Sequence, residues 1–368
     1  MPEAVIAGVG MHKCGRHPGK SFSVMAAEAA VRALDDAGMN FGDIQAVYAS
    51  HVMQGASAGQ AVCRHLGMTG IPITNVENAC ASGSTAVRQA FLDIVNGVYE
   101  SVLVVGFEKM RQGVIGGIGE ENTVSEELGL NVMPALYALK ANEHMQRYGT
   151  TREQMAMVAV KNHLNGCYNP YAHFQKELTV EEVLASRLIC DPLRLLECCP
   201  TSDGAAAAVI CSERRARRHN PGPFVYVAGA ALVSEIYGDD PDVTSRAAKI
   251  AYEMAGLGPA EIDLAEVHDA FSIGEILHYE SLGFCTPGEG GRLVETGRTA
   301  INGDIPVNPS GGLQSRGHPL GMTGVAQVCE VVWQLRGQAG RRQVKGPQTG
   351  LTHTQGFGGV CAVTILKR

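Results

Sequence analysis

One order of elements occurs twice in this chain, and it constrains the fold more than any other feature. In residues 26–50, AAEAAVRALDDAGMNFGDIQAVYAS, small apolar residues recur at helical spacing, Gly38 stops the helix, and Asp43 precedes a β-prone run. Residues 247–271, AAKIAYEMAGLGPAEIDLAEVHDAF, repeat that order with Gly256 and Asp263 in the corresponding places. Each copy continues into an apolar helix and a β-rich segment, SGSTAVRQAFLDIVNG then SVLVVGFE in the first, GMTGVAQVCEVVWQLRG then GVCAVTIL in the second. The repeat means one supersecondary design used twice. Strands alternating with helices at this spacing predict a parallel-rich sheet covered by helices, and two such halves predict a five-layer α/β architecture.

Between the copies the rhythm breaks. GVIGGIGEEN, the helical pattern MPALYALKANEHMQRYGT and the further run TREQMAMVAVKNHLNG read together as an inserted lid or loop domain over about residues 108–210. The segment RRARRHNPGPFVYV closes a helix with basic residues and restarts a strand after Pro-Gly-Pro. The division therefore falls between a first half, 1–220, which carries the insert, and a second half, 221–368. Arg214, Arg215, Arg217 and Arg218 either bind the phosphates of a nucleotide-like cofactor or form a solvated helix end, where cations suit the dipole.

Charge and cysteine usage narrow the function. With 30 Lys+Arg against 37 Asp+Glu, a net charge of −7 and no long basic block, the chain has no footprint for a phosphate backbone, so nucleic acid is not an expected partner. No apolar run approaches ~20 residues and the start lacks a charged-then-apolar leader pattern, so no membrane span or export is expected. Eleven cysteines, an odd number, fit a reducing, cytoplasmic setting. There is no CxxC pair, and the adjacent Cys198 and Cys199 suit a tetrahedral site poorly, so no metal is expected.

The chemistry points to four places. In ITNVENACASGSTAVRQAFLDIV, Cys80 stands where a strand turns into a helix, and unpaired N–H groups with the helix dipole favour its thiolate. Gly83 there lets a substrate approach the backbone. A Cys between alanines is otherwise a small core residue. In NPSGGLQSRGHPLGMTGVAQV, His318 is held in a Gly-rich loop by Pro319 before another small-residue helix, placed to take a proton from a thiol. His268, in AEVHDAFS, follows a strand, and His353, in GLTHTQGFGGV, precedes a Gly-rich turn. Functional groups on sheets of this kind collect at strand ends.

At these residues the sequence resembles the thiolase superfamily over nearly its whole length. The Cys80 segment is similar to the family's nucleophile motif, His318 stands in its Gly-His-Pro motif, and HDAF replaces the family's Asn-Glu-Ala-Phe. The blocks look closest to the sterol-carrier-protein thiolases and the archaeal acetoacetyl-CoA thiolases. The resemblance implies a duplicated thiolase fold, αβαβα, with an inserted lid. His353 falls where other members carry a C-terminal cysteine, and Ala270 stands where sterol-carrier thiolases carry one. The second acid/base is therefore His353 or, as a second candidate, Cys285.

What the resemblance implies is a thiolase: an acyl-Cys80 intermediate, coenzyme A as co-substrate, and thiolytic cleavage or Claisen formation of a β-ketoacyl-CoA. The acyl group is bulky or aromatic, as in an acylsuccinyl-CoA, or acetyl, as in an acetoacetyl-CoA thiolase. His318 and a water on His268 polarise the thioester oxygen, while the N–H of Cys80 and one near Gln355–Gly356 hold the oxyanion. At least a homodimer is implied, with a small zinc-ribbon OB-fold subunit as partner. Rival readings are a decarboxylating ketoacyl synthase, a steroid side-chain retro-aldolase, a nucleotide-binding oxidoreductase and a non-catalytic scaffold. Cys80 argues against the retro-aldolase, and the weak GVGMHKCG and GRHPGKS strings against a nucleotide site.

Overall fold

The computed structural model describes residues 3–111, 113, 132–220, 222–236 and 242–368. Apart from Gly113, the GVIGGIGEEN run lies outside the described residues. In chain order the main elements are β1 (Ala4–Gly15), α1 (Phe22–Ala37), β2 (Ala46–Ser50), α2 (Ala58–Leu66), β3 (Ile73–Val76), α3 (Ser82–Val95) and β4 (Ser101–Glu108). Then come α4 (Met133–Tyr148), α5 (Arg152–Cys167), β5 (Asp203–Ser212), β6 (Val225–Ser234), α6 (Val243–Ala255) and β7 (Leu264–Glu266). The chain closes with α7 (Ser272–Ser281), α8 (Thr323–Leu335), β8 (Thr349–Gly356) and β9 (Val360–Lys367).

The repeat is visible in local structure. Helix α1 starts on Ser21, whose hydroxyl accepts from Val24 N–H, and ends at Gly38 with φ of 66°. Helix α6 starts on Asp242, which accepts from Thr244 and Ser245, and ends at Gly256 with φ of 65°. Each helix leads through a short 3-10 turn into a strand, β2 or β7.

The strands hydrogen-bond in the order β3-β2-β4-β5-β1-β6-β9-β8-β7. Read outward from the centre, β1-β5-β4-β2-β3 in the first half matches β6-β9-β8-β7 in the second. An isolated parallel bridge, Ala265–Val307, extends the second half where β3 extends the first. The halves meet at β1 and β6 through the pairs Val5–Tyr226 and Ile6–Val225.

Three features differ from the sequence reading. The sheet is mixed: β2–β3, β2–β4 and β7–β8 are parallel, and the other five pairings are antiparallel, four because β5 and β9 each run against both neighbours and the fifth where β1 meets β6. The counterpart of SVLVVGFE (β4) is β8, while GVCAVTIL lies in and around β9 and corresponds to β5. Finally, β5 lies within the span read as an insert up to residue 210. Its ten residues are all buried between β4 and β1, so the segment outside the sheet ends before Asp203.

The layers follow from three clusters of buried residues. Helices α3 and α8 form the middle layer with the inner faces of both half-sheets, through Val87, Ala90, Ile94, Val325, Val328 and Val332. Helices α1 and α2 cover the first half-sheet, and α4, α6 and α7 the second. Glycines let the middle helices meet at their N-termini: a Cβ on Gly83 would lie 3.0 Å from Gly321 O, and one on Gly324 would lie 2.2 Å from Ser84 Oγ. Gly83 thus serves helix packing, not the substrate approach expected from sequence. No described helix is long and apolar enough to cross a membrane.

Candidate active site

The α3 and α8 N-termini point at one place, and the residues that precede them form the site. The chain leaves β3 at Val76 and is bent by a ring of short bonds: Glu77 Oε1 accepts from Ala79 N–H (2.8 Å), Ser82 Oγ accepts from Asn78 N–H (2.8 Å), and Ser82 Oγ donates to Ala79 O (2.6 Å). Ala79 is held at a φ of 48°, a left-handed conformation that costs a non-glycine residue ~1–2 kcal/mol. That bend places Cys80 ahead of the first turn of α3.

The β8–β9 turn crosses over this elbow. A Cβ on Gly356 would lie 2.9 Å from Asn78 O and 3.3 Å from Ala81 N, so the glycine allows the turn to lie directly on the Cys80 loop. The backbone N–H groups of Phe357 and of Cys80 itself face the sulfur. Burial outweighs them and pushes the Cys80 thiol up to about 12, helped by the Glu108 carboxylate. The resting group is a thiol, contrary to the thiolate that the helix dipole alone leads one to expect.

His318 follows a π-helical turn, Gly312–Arg316, and precedes α8. Its Nδ1 lies 2.7 Å from Thr323 Oγ1, and that hydroxyl donates its proton to Pro319 O at 3.0 Å. Thr323 therefore accepts from Nδ1–H, which leaves Nε2 as an unprotonated acceptor. Burial, reinforced by the Arg316 guanidinium, pushes His318 down to about 3. Arg316 is itself fully enclosed and paired with Glu266 at 3.2 Å.

His268 comes from the segment between β7 and α7. Its ring stands edge-on to that of His318, centroids 5.0 Å apart. Donor atoms of Cys80, His268 and His318 all lie within 4.8 Å of one another. Burial, with His318 second, holds His268 well below the ordinary imidazole value. Its Nδ1 is buried with no protein partner among the described residues. Asp269, next in sequence, accepts from Leu313 N–H (2.7 Å) and Gln314 N–H (3.3 Å) and so ties this segment to the turn that carries His318. The same three donors are the set among the described residues spaced closely enough to hold a metal ion, which would have to displace the thiol proton.

The structure does not bring His353 into this cluster. On β8, neighbouring side chains point to opposite faces: Thr354 reaches Ser84 of α3 (2.7 Å), whereas His353 Nε2 meets Thr244 of α6 (3.2 Å). His353 Nδ1 accepts from the His268 N–H (3.4 Å), so both its nitrogens are engaged and it supports the backbone of His268 from behind. His278 packs beside it, ring centroids 4.2 Å apart, with both nitrogens buried and without protein partners among the described residues. Cys285 is half-buried after α7, and its charged neighbours are Glu280, Glu289 and Arg298, none of them in the cluster.

Three of the four basic residues at the hinge are paired, Arg214 with Glu100, Arg215 with Asp43 (2.9 Å) and Arg217 with Glu213, which supports the helix-end reading. Sequence reasoning missed Thr323, which fixes the His318 tautomer, and Glu108, whose carboxylate accepts from Val52, Met53 and Gly321 N–H and clamps the loop beside the site. The only sequence signal for Thr323 is its place five residues after His318, at the start of a helix.

The fold is that of an acyltransferase built on a duplicated α/β architecture. The thiolase N-terminal domain model matches residues 4–214, and the thiolase C-terminal domain-like model matches residues 238–368. The acetyl-CoA acetyltransferase of Methanothermobacter thermautotrophicus is 46% identical over the full length of both chains. Sterol carrier protein 2 of Oryctolagus cuniculus is 41% identical over all of this chain and 72% of its own. Among solved structures, the Ltp2-ChsH2(DUF35) aldolase superposes with a TM-score of 0.89 at 28% identity, covering 99% of this chain and 97% of that one. The chain belongs to the thiolase family.

Proposed function

We propose that this protein is a CoA-dependent thiolase that cleaves a β-ketoacyl-CoA, or forms one by Claisen condensation, through an acyl-Cys80 intermediate. One observation carries the reading: a thiol and an imidazole of fixed tautomer converge, with the lone pair of His318 Nε2 free to take the Cys80 proton. Both groups start neutral. The thiolate exists only as it attacks the 3-oxo carbon, and the imidazolium formed with it stabilises the charge that develops. The N–H groups of Cys80 and of the Gly356–Phe357 turn serve the oxyanion on the acyl-cysteine side. His268 and His318 polarise the thioester carbonyl of the departing fragment.

The acyl group is proposed to be small, acetoacetyl-CoA being the first substrate to assay, because relatives named acetyl-CoA acetyltransferase match end to end. Coenzyme A is the acceptor. A small zinc-ribbon OB-fold subunit is the proposed partner, supported by the Ltp2-ChsH2(DUF35) aldolase match. Association of copies through the half-exposed edge strand β3 is proposed as well. The retro-aldolase reading of that neighbour gives Cys80 no role. Mixing the protein with acetoacetyl-CoA and CoA tests the proposal: loss of the enolate absorbance with formation of two acetyl-CoA supports it, and cleavage independent of CoA overturns it.

A further inference from the structure

Thiolysis as proposed above needs a second proton donor, and the groups already placed do not include one that starts the cycle with a proton to spare. His268 and His318 are buried and neutral, His318 receives the Cys80 proton, and His353 is engaged on the far side of the His268 backbone. When the carbon–carbon bond breaks, the released fragment is an enolate of a thioester and its α-carbon takes up a proton. The donor has to stand on the wall of the site that carries His268.

We propose that Cys199 is this donor, the second catalytic thiol of the site. Its segment runs antiparallel to the one after His268: Cys198 bridges to Phe271, and the Cys199 N–H donates to Ala270 O at 2.9 Å. Cys199 is thereby fastened beside a methyl side chain, two residues from His268. The third member of the wall is Tyr137 of α4, whose ring lies 4.6 Å from that of Phe271 and fits against Gly274, where a Cβ would lie 3.1 Å from the Tyr137 ring and 3.4 Å from His268 O. Cys199 packs into the same apolar cluster as Tyr137, Ala270 and Phe271. Its thiol interacts electrostatically with those of Cys80 and Cys198 and with Asp269, and the Tyr137 hydroxyl interacts with both Cys80 and Cys199. Burial keeps the Cys199 thiol and the Tyr137 phenol in their protonated forms. Of the two, the thiol is the closer match in acidity to the thiol of CoA, with which a proton is next exchanged.

The step balances without a further reactant. Cys199 gives its proton to the α-carbon as the bond to the carbonyl carbon breaks. Its thiolate then takes the proton of the incoming CoA thiol. The CoA sulfur attacks the acyl carbon on Cys80, Cys80 leaves as a thiolate, and the His318 imidazolium returns its proton.

The inference rests on the thiolase reading, so the test has two readouts. The full-length protein and its Cys199→Ala, Cys199→Ser and Tyr137→Phe variants are incubated with acetyl-CoA. Mass analysis follows the acetyl adduct on Cys80, which forms without proton transfer at carbon, and solvent-deuterium uptake at the acetyl-CoA methyl follows that transfer. Both Cys199 variants are expected to keep the adduct while losing deuterium uptake and thiolysis by about 10²-fold or more, with Tyr137→Phe changing uptake by less than about tenfold. Uptake within about threefold of the parent in both Cys199 variants, or loss of the adduct in both, overturns the assignment, as does a larger uptake defect in Tyr137→Phe than in Cys199→Ser. Absence of the adduct in the parent protein overturns the thiolase reading itself.

Discussion

The Thr323 hydroxyl lies 2.7 Å from Nδ1 of His318 and 3.0 Å from the carbonyl oxygen of Pro319, so its one proton goes to Pro319 and its oxygen accepts from the imidazole. This relationship decides which ring nitrogen carries the proton and leaves the lone pair on Nε2. Replacing Thr323 by Val keeps the shape and removes the acceptor. Steady-state thiolysis by Thr323→Val is expected to fall by about 10–100-fold, the range for partners that orient a catalytic imidazole, and Thr323→Ser is expected to recover most of it. Equal activity in the Val variant would mean that the tautomer is fixed by something else.

The neutral thiol–imidazole pair has a pH signature. Burial holds His318 down to about 3 and Cys80 up to about 12, so His318 stays unprotonated and Cys80 stays protonated across the ordinary range. Neither group is expected to contribute an inflection to kcat/KM between about pH 5 and 9. Iodoacetamide labelling of Cys80 is expected to rise with pH throughout that window without levelling off. A plateau reached near neutrality would show a preformed thiolate–imidazolium pair.

Gly356 lies against the Cys80 elbow, and a Cβ there would lie 2.5 Å from Val360 Cγ1 and 2.9 Å from Asn78 O. Gly356→Ala therefore pushes the Phe357 N–H away from the sulfur. Turnover is expected to drop by about 10²-fold, the scale of losing one oxyanion donor, while circular dichroism stays that of the parent.

Glu197 is 1% exposed, with one carboxylate oxygen bound by the Arg194 N–H (2.8 Å) and the other without a protein partner among the described residues. Burial raises it to about 7, above its unfolded value, so the protonated form is favoured in the fold. Its stabilising contribution is fully present below the unfolded pKa of about 4.5 and is lost as pH rises through about 7. Glu197→Gln is expected to raise Tm by a few degrees at about pH 8 and to leave it nearly unchanged at about pH 5. Thermal melts at the two pH values check this, and an equal shift at both contradicts it.

The duplication was legible because its punctuation is local. Caps at Ser21 and Asp242 and left-handed glycines at Gly38 and Gly256 mark both copies regardless of packing. Cys80, His268 and His318 stood out for a related reason: an elbow, a strand end and a glycine-rich loop leave marks in neighbouring residues. β5 was hidden because DGAAAAVICS holds few β-branched or aromatic residues, and its strand is set by burial on both faces. The sequence alone assigns His353 to the site because a strand sequence does not fix which face enters the middle layer. A step of one residue, from Thr354 to His353, moves a side chain from α3 to α6. Cys199 carries no local mark, since the pairing of its segment with Ala270 and Phe271 brings it to the stretch after His268.

The most direct measurement is intact-protein and peptide mass spectrometry after rapid quench of the protein with acetoacetyl-CoA. An acetyl group of about 42 Da is expected on Cys80, discharged by added CoA and absent in Cys80→Ala, which loses thiolysis. No adduct on Cys80, together with turnover retained in Cys80→Ala, would contradict the acyl-Cys80 intermediate.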